Sequence, residues 1–202
     1  MANVDNPNGF KPIGTMSGAP WSGYVMDFLA DGSGGDIFPG DMVAMEADGN
    51  IIPAAAANEN LLGVCVGFVP AQEGSTNGVS DHFVASTTPN LNKTYYDASV
   101  DGASWIKVCV GTDVLYEVQE DDVDGTTLAY TAVGANADIL ATAGSATRGI
   151  SLQEMDRSTL ATTNGQLRIV RPVNRVDNEV GSDSSRWVVR INENHYTKIA
   201  GV

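Results

Sequence analysis

The chain has 202 residues, 43% of them hydrophobic, and a chain of this length buries roughly 70% of the surface it exposes when unfolded, so it needs no metal or disulfide staples. Its formal charge of -14 and pI near 4.2 oppose contact with a phosphate backbone, and nucleic acid is not an expected partner. No run approaches the ~18 apolar residues of a membrane helix, and the opening MANVDNPNGF lacks the basic start and apolar stretch of a secretory signal, so a cytoplasmically made chain without membrane contact is expected.

Residues 1–23 contain three prolines, four glycines and three asparagines. Phe10, Ile13 and Trp21 stand among them at neither the strand nor the helix period. The segment reads as an extended arm, residues 24–202 as a β-rich domain with a possible subdivision near 120–147. A terminal segment is ordered only where it is tied down, so these three apolar residues are expected to dock on the arm's own domain or on a neighbouring subunit.

From Tyr24 the residues YVMDFLA read as a strand and DGSGGD as a loop. Ile37–Asp41 is a turn before the strand 42–45, and Asp48-Gly49 turns the chain into Ile51-Ile52, since Asp-Gly supplies the positive φ of a tight hairpin. Leu61–Val69 has the composition of a buried strand, 70–82 of a surface loop, and Phe83–Ser86 of a short edge strand. Ser104–Val110 and Val114–Gln119 are strands joined by Gly111-Thr112-Asp113, a hairpin-length connection. Residues 120–125 form an acidic turn, and 126–147 suit a short helix or broken strands equally. Gly149–Leu152, Gln166–Val173 and Arg186–Ile191 complete the strands.

Residues 1–147 hold three lysines against nineteen acids, while 148–202 hold eight basic residues against six acids. Arg168, Arg171, Arg175, Arg186 and Arg190 fall on or beside the last two strands, where they can pair with the acidic surplus of the same or an adjacent copy. Short Val/Ile/Leu-rich segments with turn signals between them predict an all-β fold, a barrel or sandwich of short antiparallel strands.

Chemistry-bearing motifs are sparse. His82 and His195 lie far apart, and Cys65 and Cys109 each sit in V-C-V-G, so no zinc-like spacing exists and both cysteines read as reduced, buried hydrophobes. DGSGGD lacks the lysine and helix of a phosphate cradle. Glu120-x-Asp122-x-Asp124-Gly125 mimics the start of an EF-hand loop, but its twelfth position is Thr131 rather than a bidentate glutamate. No catalytic residue, metal or cofactor is expected.

The opening N-P-x-G-F-x-P, the succession P-G-D-x-V, D-G-N-I-I-P-A and L-L-G-V-C-V-G-F from Pro39 to Phe68, and the ending QLRIV followed by WVVRINENHY resemble the head decoration, or capsid cement, proteins of tailed bacteriophages. The resemblance spans most of the chain, and at 202 residues the chain is longer than the smallest such proteins. It implies a non-enzymatic structural virion protein, often a homotrimer, seated on the capsid exterior and locking major capsid protein subunits together, with no catalytic residues to transfer. Exposed ion pairs contribute little each and are screened over about 8 Å in physiological salt, so the arms and apolar contacts are expected to carry most of the attachment and salt to weaken it only modestly. A neck, tail or fibre component is the alternative within the virion, and a carbohydrate-binding or hydrolytic β-domain the alternative from another class.

Overall fold

In the computed structural model, which describes residues 3–55, 60–69, 93–121 and 127–197, the chain is almost entirely β. The strands are β1 (Lys11–Thr15), β2 (Val25–Ala30), β3 (Met42–Met45), β4 (Ile51–Pro53), β5 (Leu61–Phe68), β6 (Ser104–Cys109), β7 (Val114–Gln119), β8 (Asn136–Leu140), β9 (Glu154–Ala161), β10 (Leu167–Pro172) and β11 (Arg186–Ile191). They form a six-stranded antiparallel sheet in the order β1-β7-β11-β10-β8-β9 and a five-stranded antiparallel sheet in the order β2-β6-β5-β3-β4. The two pack as a sandwich, and neither closes into a barrel. No helix among the described residues is long and apolar enough to cross a membrane.

Period-2 alternation builds the core. Val114, Tyr116 and Val118 of β7, Leu167 and Ile169 of β10, and Trp187, Val189 and Ile191 of β11 share one buried cluster with Met42, Ala44, Leu61, Val64 and Cys109 of the other sheet. The intervening residues of the five-stranded sheet, Val43, Leu62, Cys65, Ile106 and Val108, face the opposite way into a second buried cluster with Ile37 and Tyr96. That sheet is therefore apolar on both faces, which explains the near-continuous hydrophobic run LLGVCV in β5. Cys65 and Cys109 are free and buried, one in each cluster.

Several elements differ from expectation. Gly111–Asp113 does not close a hairpin, because β6 pairs with β2 and β5 while β7 pairs with β1 and β11. The connection turns a corner between sheets, and the Tyr116 hydroxyl fastens it by donating to the Cys109 carbonyl at 3.1 Å. At the β3–β4 turn only Gly49 takes a positive φ, +89°, with Glu46 N–H bonded to the Asn50 carbonyl at 2.9 Å. Strand β9, absent from the sequence reading, occupies the edge beside β8, and Gly149–Leu152 is not a strand but contributes one bridge, Ser145 to Ile150. Within 126–147, a short 3-10 turn, Tyr130–Ala132, precedes β8. The loop 70–82, the strand Phe83–Ser86, His82 and most of the acidic turn lie outside the described residues.

The N-terminal segment is part of the sandwich. β1 pairs with β7 in the register Lys11 to Glu117, and Phe10 is 1% exposed within the core shared by both sheets. Upstream, Asn3 Nδ2 donates to the Glu179 and Asp183 carbonyls, each at 3.0 Å, while Asn3 Oδ1 accepts from Glu179 N–H at 2.7 Å. Gly9, at φ +60°, passes so close to the turn at Gly40 that a Cβ there would lie 2.5 Å from the Gly40 carbonyl oxygen. A residue at this point must therefore lack a Cβ, which only glycine does.

Candidate partner-binding face

Because Leu167, Ile169, Trp187 and Val189 point into the core, their strand neighbours emerge on the outer face of the six-stranded sheet. Arg168 and Arg190 are directly opposed across β10 and β11. A bulge between Ile169 and Arg171 then places exposed Arg171 opposite Val188, and Val188 opposite Glu117. Continuing across β7, Glu117 faces Lys11, so a row Arg171, Val188, Glu117, Lys11 crosses four strands. Arg186 lies opposite Gln119 in the next row.

Glu117 is the anionic centre of this face. Its Oε1 lies 2.9 Å from Arg175 Nη1 and 3.9 Å from Arg186 Nη1. Arg175 also pairs with Asp177 at 3.2 Å, and Arg186 Nη2 donates to the Asn6 carbonyl at 3.0 Å and to Gln119 Oε1 at 3.3 Å. Partial burial pushes the Lys11 ammonium pKa down, and the positive charges of Arg186 and Arg175 add to this while Glu117 opposes it. Among the described residues Arg168, Arg171 and Arg190 carry no ion pair, and Arg168 Nε is buried without a hydrogen-bond partner. The five arginines named from the sequence thus converge on one face, joined there by Lys11, which a lone lysine in KPIGT gave little reason to single out.

The apolar candidates do not join them. Phe10 is consumed by the chain's own core, so it is not a surface a partner meets. Trp21, in the 3-10 turn Trp21–Tyr24, is half-buried against the same core. Ile13 alone remains on the surface, 44% exposed. A single extended segment with one apolar residue per few positions cannot show which of them its own domain will bury, and here β1 pairing decides it.

Two buried acids were invisible in the sequence. Glu120, expected in a solvated turn, is 0% exposed, and Asp121 is 4% exposed. The Ser185 hydroxyl donates to Glu120 Oε1 at 2.5 Å and accepts from Trp187 Nε1–H at 2.8 Å, while Glu120 Oε2 is buried without a partner. Burial pushes the Glu120 carboxyl up to about 7 against the hydrogen bonds from Ser185. With its proton committed to Glu120, the Ser185 hydroxyl serves as a clamp between β7 and β11.

Asp41 closes the turn before β3 by accepting from Phe38 N–H at 2.7 Å, and burial pushes its carboxyl up to about 6. It lines a cleft of ≈ 340 Å³ with Asp36, Phe38, Thr142 and Gln153, but Gln153 Oε1 is engaged by Met42 N–H at 2.8 Å. No group of three or more His, Cys, Asp or Glu residues suited to a metal occurs among the described residues. No family model, curated protein or solved structure matches the chain.

Proposed function

We propose that this chain is a structural virion protein, a homotrimeric cement that binds the outer surface of a tailed-phage capsid and stabilises contacts between major capsid protein subunits. The observation that supports this reading most is the basic outer face of the six-stranded sheet on a molecule of net charge -14. Arg168 and Arg190 oppose each other in register, an arrangement that costs stability when like charges stand directly across a sheet. A face of this kind gains most from an acidic protein surface laid over it, because that surface supplies the opposite charge across the contact.

This changes how attachment is divided. With Phe10 and Trp21 packed in the chain's own core, the N-terminal segment acts through the sandwich it completes, and the arginine face carries the contact between subunits. Attachment should then weaken markedly with salt, since exposed charges decouple beyond a Debye length of about 8 Å. The test is co-sedimentation of Arg168→Glu/Arg190→Glu with purified capsids: the reading expects binding to fall by about tenfold or more, equivalent to ~1.4 kcal/mol, with an unchanged circular dichroism spectrum. Undiminished binding would contradict it.

A further inference from the structure

Among the described residues, little of the acidic surplus reaches the arginine face within one molecule. Of the acids in residues 1–147, Glu117 alone pairs with these arginines among the described residues. The inner face of the six-stranded sheet is occupied by the other sheet, so its outer face looks away from the loops where acids gather. Those loops form a second, separate pole. Asp31 and Asp36 follow β2, and Glu46 and Asp48 flank the β3–β4 turn.

The rim acids are held by neutral donors. The Ser33 hydroxyl donates to Asp31 Oδ1 at 2.7 Å and to Glu46 Oε2 at 3.3 Å. Asn50 Nδ2 donates to Asp31 Oδ2 at 3.1 Å and to Asp48 Oδ2 at 2.9 Å. None of the four has an ion pair among the described residues, and Asp31, Asp36 and Asp48 are exposed. The carboxylates are therefore fixed in position, with their charge uncompensated.

We propose that copies of the chain associate head to tail, the basic face at Arg168, Arg171 and Arg190 on one copy docking against the acidic rim at Asp31, Glu46 and Asp48 on the next. Among the described residues Arg168, Arg171 and Arg190 and the rim acids carry no ion pair, and the two groups are opposite in sign, so a second copy supplies what each lacks. Two different patches meeting make a heterologous contact, which closes into a ring when the rotation allows it. This rests on the cement reading for its setting, a particle that concentrates many copies. It makes a second copy the occupant of the arginine face, so the loss of capsid binding expected for Arg168→Glu/Arg190→Glu follows from the lost avidity of the assembled copies.

The experiment is sedimentation velocity on the full chain without capsids, in low and high salt. Arg168→Gln/Arg171→Gln/Arg190→Gln removes the basic pole, and Asp31→Asn/Glu46→Gln/Asp48→Asn removes the acidic one. The wild type should form an oligomer that high salt weakens by about tenfold or more, and each variant alone should be monomeric. An equimolar mixture of the two should give a one-to-one dimer, since one basic face and one rim remain intact. A monomeric wild type, a variant that assembles as the wild type does, or a mixture that stays monomeric would overturn the proposal. So would retention of a DNA duplex by the wild type that the arginine variant loses, which would assign the face to a polyanion. Capsid co-sedimentation is read separately: assembly in solution without capsid attachment would sink the cement reading and leave this inference standing, and attachment without assembly would overturn this inference together with the homotrimer, leaving capsid binding itself intact.

Discussion

Glu120 and Asp41 are carboxyl groups that the fold holds away from water, and both titrate above their ordinary range, Glu120 at about 7 and Asp41 at about 6. Between the ordinary carboxylate range and those values the folded chain binds more protons than the unfolded one, so stability falls as pH rises. Their contribution is complete below about pH 4, the unfolded carboxyl range, and is lost as pH climbs through 6 for Asp41 and 7 for Glu120. The melting temperature should therefore be higher near pH 5 than near pH 8, the reverse of ordinary acid denaturation. Relief of self-repulsion in a chain of charge -14 acts in the same direction, so the variant is what isolates the two acids. In Glu120→Gln/Asp41→Asn most of the rise should vanish in a thermal melt across this range; an unchanged slope would show that these carboxyls titrate normally. Nothing in the string EDDVDG signals that its first residue is buried, because burial of Glu120 is set by Ser185 and Trp187, more than sixty residues away in sequence.

Among the elements, β3 and β5 were legible as continuous apolar runs and β7, β10 and β11 by alternation. β9 was not, since Glu154–Ala161 carries only scattered apolar residues and pairs along one side across a register shift. The corner between β6 and β7 was also hidden, because a three-residue connection suits a hairpin and a change of sheet equally well in sequence. The N-terminal segment shows the same limit, its cis docking depending on β7 and on the close approach of Gly9 to Gly40. Phe10→Ala should then cost ~3–5 kcal/mol as a buried aromatic truncation, lowering the melting temperature by about 2–4 °C per kcal/mol in a chain of this size. Ile13→Ala, at an exposed position, should stay within about 0.5 kcal/mol. Chemical denaturation of both variants checks this, and equal effects would mean that the segment does not sit in the core.

At the scale of the whole molecule, the charge asymmetry along the sequence becomes a spatial one, because the strands that close the chain lie side by side and turn their arginines outward. That much of the arginine face was legible from period-2 alternation in QLRIVRPV and RWVVRI. What was not legible is that Glu117 and Lys11 would enter it from strands far upstream, since sheet order is a long-range property. The central claim is that this face serves a protein that decorates a capsid in many copies, where repetition turns modest contacts into avidity. The direct measurement is mass spectrometry of purified virions together with averaged electron microscopy, counting copies of this chain per particle and locating them. Copies distributed over the whole outer shell are the expected result; a few copies confined to one vertex or to the tail, or absence from the particle together with turnover of a glycan, would rule out capsid decoration.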